Sequence, residues 1–210
     1  MTRDPNAIRV LVVDDHVVLR EGVAAILAGE SGIEMVGAAE NGAEAVEAFR
    51  NLRPDVMLLD LQMPIMDGIE ALTEIRKQSP NARVIVLTTY EGDVQAVRAL
   101  KAGASGYLLK SSLRKEMIDA IRAVHAGRRY VLAEIAQEIA IHAAEESLSD
   151  REITVLQRVA AGKPNKVIAA ELSLSEDTVK AHLRSIFSKL GVDDRTQAVT
   201  LALRRGIINL

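Results

Sequence analysis

The sequence predicts two domains of different class. The first is an α/β domain with a doubly wound, five-stranded parallel sheet, and the second is a small all-α domain. Three observations carry that expectation. Over residues 8–126, short apolar runs alternate with segments whose apolar residues recur at helical spacing, the pattern of repeated strand–helix units with helices on both faces of a sheet. Two of those runs, Val10-Leu11-Val12-Val13 and Val56-Met57-Leu58-Leu59, close on the carboxylates Asp14-Asp15 and Asp60. From Ser147 onward the strand-like runs stop and helix caps follow one another.

Taken in order, strands are expected at 8–13, 34–39, 56–60, 83–88 and 105–109, with helices near 17–28, 42–52, 67–78, 92–102 and 112–126. Continuous apolar runs such as 56–59 suit strands covered on both faces. Five strands in about 120 residues is the flavodoxin-like size, with right-handed crossovers. In such a sheet the carboxyl ends of the strands share one crevice, where ligands bind. Asp14, Asp15 and Asp60 meet there. So do Thr88, which ends Val84-Ile85-Val86-Leu87, and Lys110, which follows Gly106-Tyr107-Leu108-Leu109. Three carboxylates repel one another unless a hard cation sits among them, and Mg²⁺ is the usual choice beside a phosphate. A lysine offsets the same repulsion and can bind a phosphoryl oxygen, and a threonine hydroxyl can donate to that oxygen. The loop after Asp60, Gln62-Met63-Pro64-Ile65-Met66-Asp67-Gly68, has a proline and a glycine to steer it.

Residues 127–146 read as a helical linker. Gly127-Arg128-Arg129-Tyr130 ends the preceding helix, and Leu132, Ile135, Ile139 and Ala143 form a helical stripe. The second domain, 147–210, opens with Ser149 and Glu152 in a capping box. That helix ends near Gly162, with Pro164 as its stop. Asn165 is expected to cap Lys166–Leu172, Ser173-Leu174 to turn, and Ser175 to cap a third helix running to Leu190 and ending at Gly191. Glu176 and Asp177 suit its first turn. It carries Lys180, His182, Arg184 and Lys189, while Val179, Leu183, Ile186 and Leu190 keep core spacing. Two short helices joined by a tight turn, the second basic, read as a helix-turn-helix. The last helix, Arg195 to Arg205, is apolar over too wide an arc for one core face, so part of it is expected to meet a second subunit.

Composition narrows the class. The chain of 210 residues has no Cys and no Trp, which excludes a disulfide framework and a Cys-based zinc site. Met1–Ala7 is polar and holds no signal-peptide core, and no stretch approaches the ~20 apolar residues of a membrane span. A soluble cytoplasmic protein is expected. From Ser147 to Leu210 ten Lys and Arg face seven Asp and Glu, a net of +3; the whole chain carries −3, which leaves −6 for residues 1–146. An acidic half suits a metal site and a basic half suits nucleic acid.

Asp14, Asp15, Asp60, Thr88 and Lys110, in this order and spacing, resemble the receiver domain of two-component response regulators over the whole of 8–126. Leu148-Ser149-Asp150-Arg151-Glu152, Gly162–Ala169, Ser175–His182 and Lys189-Leu190-Gly191-Val192 resemble the LuxR-type helix-turn-helix. Together they are similar, end to end, to a response regulator of the NarL/FixJ class. The resemblance implies a transcription regulator rather than an enzyme. Asp60 is implied as the phospho-acceptor, attacking a phosphohistidine on a sensor histidine kinase. Asp15, Asp60 and the main-chain carbonyl of Gln62 are implied as direct Mg²⁺ ligands, with Asp14 acting through water. Thr88 and Lys110 are implied to hold the phosphoryl oxygens, and Tyr107 is implied as the switch aromatic that turns inward with Thr88. On double-stranded promoter DNA, Lys180, Ala181 and Arg184 are implied to face bases; Asn165, Lys166 and Thr178 are implied to touch phosphates. A homodimer, paired through the last helix, is implied as the bound form.

Two departures stand out. Ser111 follows Lys110 where receivers often have a cis proline; without proline a cis bond costs about 3 kcal/mol, and both isomers stay open. Pro164 replaces the usual Ser or Thr before Asn165. Two rivals are disfavoured. Haloacid dehalogenase-type phosphatases also phosphorylate a strand-end Asp, but need a second acid two residues on, where this chain has Gln62. A phosphorylation-independent DNA-binding protein would normally lack one of Asp15, Asp60, Thr88 or Lys110, and all four are present.

Overall fold

A computed structural model describes residues 7–89, 93–142 and 147–208. The expected polar start, Tyr90, the first residue of the helix expected at 92–102, and Ala143 with the end of the linker lie outside the described residues. The chain divides into two compact units; the first carries the sheet and reaches Ala133, and the second takes Glu134 onward together with the short stretch before Ala96.

In the first unit, strands β1 (Ile8–Val13), β2 (Ile33–Ala39), β3 (Val56–Asp60), β4 (Val84–Thr88), β5 (Gly106–Leu109) and β6 (Tyr130–Val131) form one sheet in the order β2-β1-β3-β4-β5-β6. All pairs are parallel. β3 and β4 are buried along their whole length, as central strands covered on both faces must be. Helices α1 (Val17–Ala28), α2 (Gly42–Leu52), α3 (Gly68–Gln78), α4 (Asp93–Lys101) and α5 (Leu113–His125) connect them. Val10, Val12, Leu58, Ile85, Leu87 and Leu108 pack against Val23 and Leu27 of α1 and Met117, Ile121 and Val124 of α5.

The sheet corrects one expectation: it has six strands, not five. Tyr130–Val131 lies in the stretch read as the start of the linker, yet Tyr130 pairs with Gly106 and Val131 with Tyr107. Two residues are too few for any periodicity to reveal a strand. Tyr130 Oη also donates to Glu116 Oε2 on α5 at 2.5 Å, and that hydrogen bond, then burial, pushes the phenol up to about 12. Helix α6 (Ala133–His142) follows, with Ile135 of the expected stripe buried.

The second unit holds α7 (Asp150–Ala160), α8 (Asn165–Leu172), α9 (Glu176–Leu190) and α10 (Arg195–Arg204). Val155, Leu156, Ile168, Val179, Leu183, Ile186, Ala198 and Ala202 form its core, with Leu190 partly buried against it. The Ser149–Glu152 capping box and the Ser175 cap form as expected. The Asn165 cap does not. Pro164 occupies the cap position without a side-chain bond, and Asn165 is the first helical residue. Proline's fixed φ and extended ψ of 155° already set the entry geometry. On α10 the buried residues are Ala198 and Ala202, while Val199, Leu201 and Leu203 stay partly exposed.

Candidate functional site

Adjacent strands bring the acids together. β1 and β3 pair in register through Val13 and Leu59, so Asp14, after β1, and Asp60, ending β3, emerge side by side. Both are buried. The start of α3 is pressed against the end of β3: Gly68 N–H donates to Leu61 O at 3.0 Å, and a Cβ on Gly68 would stand 2.1 Å from Asp60 O. Only glycine permits that approach. Asp67 then caps α3 in a reciprocal box with Glu70. Between Asp60 and that cap, Ile65 holds φ 71 and is 84% exposed, a costly conformation for a β-branched residue.

Lys110 leaves the end of β5 in a short 3₁₀ turn, Lys110–Ser112. Its Nζ lies 2.8 Å from Asp60 Oδ2, to which it donates, and 2.7 Å from Asp14 Oδ2. Every described peptide bond is trans, the Lys110–Ser111 bond included. One ammonium between two buried carboxylates leaves a net negative charge. Burial pushes the Asp60 carboxyl above its ordinary range; Lys110 and the Gln62 backbone N–H pull it down, Asp14 pushes it up, and the balance is upward. Burial lowers the Lys110 ammonium, but its bonds and charge contacts with Asp14 and Asp60 win, and it is held above its ordinary value.

Asp14, Asp15, His16 and Asp60 offer ligand atoms within 4.8 Å of one another. His16 is a member that sequence reasoning missed. Its Nδ1 stands 3.1 Å from Asp14 Oδ1 and 2.7 Å from Asp15 Oδ1, and its backbone N–H donates to Asp14 Oδ1 at 2.9 Å. Its position directly after the acid pair was the available signal. Asp14 Oδ2 and Asp15 Oδ1 are buried and accept no well-formed hydrogen bond, only the charge contacts above. Hard oxygen donors with unmet acceptor capacity fit a hard divalent cation.

Thr88 ends β4 and is buried beside Leu109 across the β4–β5 ladder. Tyr107, on β5, is fully buried. Burial pushes its phenol up to about 12, against the pull of a side-chain hydrogen bond with Thr88. Asp14, Asp15, Asp60, Thr88, Tyr107 and Lys110 therefore gather at one end of the sheet; Gln62 joins them through its N–H.

In the second unit, Lys180, Ala181 and Arg184 lie on the exposed face of α9, and Lys166 is exposed on α8. Asn165 and Thr178 are partly buried; Asn165 Oδ1 has no hydrogen-bond partner, and Thr178 N–H donates to Ser175 Oγ at 3.0 Å. Lys180 sits 3.3 Å from Asp177 and 3.5 Å from Glu176. Those contacts raise its pKa. Lys189 differs from the other bases of this helix. Its Nζ donates to Glu152 Oε2 at 3.0 Å and to Ser147 O at 3.3 Å, so it ties α9 to α7.

A family model described as "Response regulator receiver domain" matches residues 10–122, and one described as "Bacterial regulatory proteins, luxR family" matches residues 146–202. The transcriptional regulatory protein LiaR of Bacillus subtilis (strain 168) is 42% identical over 210 residues, covering 96% of this chain and all of the relative. The response regulator VraR of Staphylococcus aureus (strain NCTC 8325 / PS 47) is 38% identical over 206 residues, covering 96% of this chain and 99% of the relative. Among solved structures, the response regulator ChrA of a heme-sensing two-component system is 38% identical, covers 97% of this chain and 100% of its own, and superposes with a TM-score of 0.58. The chain belongs to the two-component response regulators. Within them it joins a receiver domain to a LuxR-type DNA-binding domain, in a family of transcription regulators and not of enzymes. No helix among the described residues is long and apolar enough to cross a membrane.

Proposed function

We propose that this response regulator takes a phosphoryl group on Asp60 and reads DNA with α9. An Asp60 carboxylate oxygen attacks the phosphorus of a phosphohistidine on the sensor kinase. A P–O bond forms, the P–N bond breaks, and the imidazole leaves with the electron pair. Lys110 and Thr88 take the phosphoryl oxygens. Lys110, already against Asp60, holds the nucleophile in place beforehand. Asp15, Asp60 and the Gln62 carbonyl would hold Mg²⁺ directly, and Asp14 through water. When bound, Mg²⁺ neutralises charge on the transferring group. Tyr107, buried and bonded to Thr88, is the switch: pulling Thr88 toward the phosphoryl group alters what the ring packs against. The receiver spans 8–126, with β6 at the start of the 127–146 linker completing its sheet, and 147–210 serves DNA binding, in a cytoplasmic protein.

On DNA, Lys180, Ala181 and Arg184 face bases, and Asn165, Lys166 and Thr178 meet phosphates. A homodimer formed through the partly exposed apolar residues of α10 pairs two half-sites.

The observation that carries this reading is one lysine ammonium held between two buried carboxylates on adjoining strand ends. Incubation with acetyl phosphate and Mg²⁺, followed by intact mass, tests it. Wild type gains one phosphoryl group and Asp60→Asn gains none; equal gain by both would remove Asp60 from the role.

A further inference from the structure

Several arginines of the first unit lie at the amino ends of its strands, the end opposite Asp14 and Asp60, where Asp55 and Glu34 also lie. Arg9 lies at the start of β1, Arg53 just ahead of β3, Arg83 directly before β4, and Arg128 and Arg129 directly before β6. In a parallel sheet these amino ends share one edge. The unit is acidic in sum, so an arginine-rich edge is not the by-product of a basic composition.

Arg76, Arg83, Arg128 and Arg129 line an open cleft there of about 820 Å³, together with Gly103 and Ser105. That is within the size range of small-molecule sites. No carboxylate is among the described residues that line it. Arg76, in the last turn of α3, is fixed: its NH1 donates to Pro80 O and its NH2 to Gly103 O. Gly103, at φ 103, makes that possible, since a Cβ would stand 2.7 Å from Arg76 Nε. Arg76 Nε itself is buried without a hydrogen-bond partner. The side chains of Arg83, Arg128 and Arg129 enter no ion pair or hydrogen bond among the described residues. Like charges gathered without a counter-charge repel. Burial, then the charge of Arg129, lowers the Arg76 pKa.

We propose that this cleft binds a small anion bearing a diphosphate. Guanidinium groups grip phosphate oxygens in pairs through their planar forks. Four guanidinium groups with no counter-charge in the cleft suit two linked phosphates better than one, which would leave about twice as much of that charge unmet. The ligand is therefore either free pyrophosphate or the diphosphate of a nucleotide.

Calorimetry on the full chain, in Mg²⁺-free buffer at low salt, tests the site with inorganic pyrophosphate and, separately, ADP. The expected result is saturable binding of one pyrophosphate per chain, tighter than inorganic phosphate. Arg128→Ala/Arg129→Ala weakens it by about tenfold or more, as loss of two charged hydrogen-bonding groups requires. Arg83→Ala, ahead of a different strand, weakens it in the same direction, so a local fault at the β6 turn does not decide the matter. Lys180→Ala/Arg184→Ala leaves it unchanged. ADP binding tighter than pyrophosphate assigns a nucleotide; equal binding assigns the bare diphosphate. Binding that does not saturate, that survives Arg128→Ala/Arg129→Ala, or that disappears with Lys180→Ala/Arg184→Ala overturns the proposal. So does a lower salt slope of duplex DNA binding in Arg128→Ala/Arg129→Ala with pyrophosphate binding intact, which would make the cleft a contact for DNA.

Discussion

Each unit contains a lysine against a buried carboxylate, and the two carboxylates have opposite fates. Lys110 reaches Asp60 at 2.8 Å, and Lys189 reaches Glu152 at 3.0 Å. Asp60 is 3% exposed and Glu152 4%, and burial is the largest single push on each carboxyl, upward in both. Their partners act against it to different extents. Asp60 shares its lysine with Asp14 and gains one N–H, from Gln62. Burial also raises Glu152, yet Ser185 Oγ at 2.7 Å, the Ser149 N–H at 2.7 Å, Lys189 and Ser149 Oγ outweigh it and hold it down at about 2. A carboxylate with every oxygen satisfied is a staple. A carboxylate left in surplus negative charge is a site completed by something that binds, and such sites are where reactivity collects.

Removing each lysine contact separates the two cases, and the largest effect is expected in the receiver. Lys110→Met leaves Asp14 and Asp60 buried without a counter-charge, which costs about 3–5 kcal/mol. Millimolar Mg²⁺ restores part of that loss, because it supplies the missing positive charge. Phosphoryl uptake does not recover with it, since Lys110 also takes a phosphoryl oxygen. Urea unfolding read by tyrosine fluorescence reports chiefly this unit: two of the three tyrosines, Tyr107 and Tyr130, lie in its sheet, and the chain has no Trp. A Lys110→Met protein whose stability ignores Mg²⁺ would break the comparison on the receiver side.

The matching change in the second unit is Glu152→Ala. It releases Ser185 and Lys189 and removes the carboxylate half of the α7 capping box, while Ser149 still caps the helix, at about 2–3 kcal/mol, and Mg²⁺ restores nothing. Amide exchange across α7 and α9 measures it. The same carboxylate sets a pH window. Its folded-state pKa is about 2 against 4.5 for the free group, so its stabilisation is complete above about pH 4.5. It is lost as the pH falls toward 2, and amounts to roughly 3 kcal/mol in full. Glu152→Gln flattens acid unfolding in that window. An unchanged acid limb in Glu152→Gln would show that the staple contributes little.

What the sequence made legible follows from the range of the interactions involved. Asp14, Asp60, Thr88 and Lys110 were visible because an apolar run that ends on a polar residue fixes both a strand and its carboxyl end. The Ser149–Glu152 cap was visible because it spans three residues. The role of Glu152 as partner of Ser185 and Lys189 spans 33 and 37 residues and leaves no local pattern, so from sequence Lys189 is only one basic residue of the third helix among others. β6 was hidden because two residues carry no period. Asn165 was misplaced by one because proline can occupy a cap position without a side-chain donor or acceptor. The arginine edge was hidden for the same reason as the staple: its members come from different strand starts and converge only once the sheet forms.

The smallest effects fall on α8 and α9, where the bases divide by role. With Lys189 engaged by Glu152, the exposed bases of α9 are Lys180 and Arg184, one turn apart at i and i+4 and so pointing the same way. Lys180 is held near Glu176 and Asp177 in the free protein, and must exchange those exposed contacts, each of little worth, for DNA. Base contacts carry sequence information, while phosphate contacts position the protein. Lys180→Ala and Arg184→Ala are therefore each expected to cost about 1–3 kcal/mol on a specific site and to relax the choice at one base pair. Lys166→Ala is expected to weaken specific and random DNA by a similar factor and to lower the salt slope by about one unit. Lys189→Ala is expected to act through stability, because the side chain is held inside the unit, and to leave the salt slope of the folded protein unchanged. A binding series on a specific site, its single-base variants and random duplex, each at several salt concentrations, reads all four. Equal losses on specific and random DNA for Lys180→Ala and Arg184→Ala would make them phosphate contacts and move the recognition surface off this face of α9. A reduced salt slope in Lys189→Ala would place that lysine on the DNA and leave Glu152 as a cap alone.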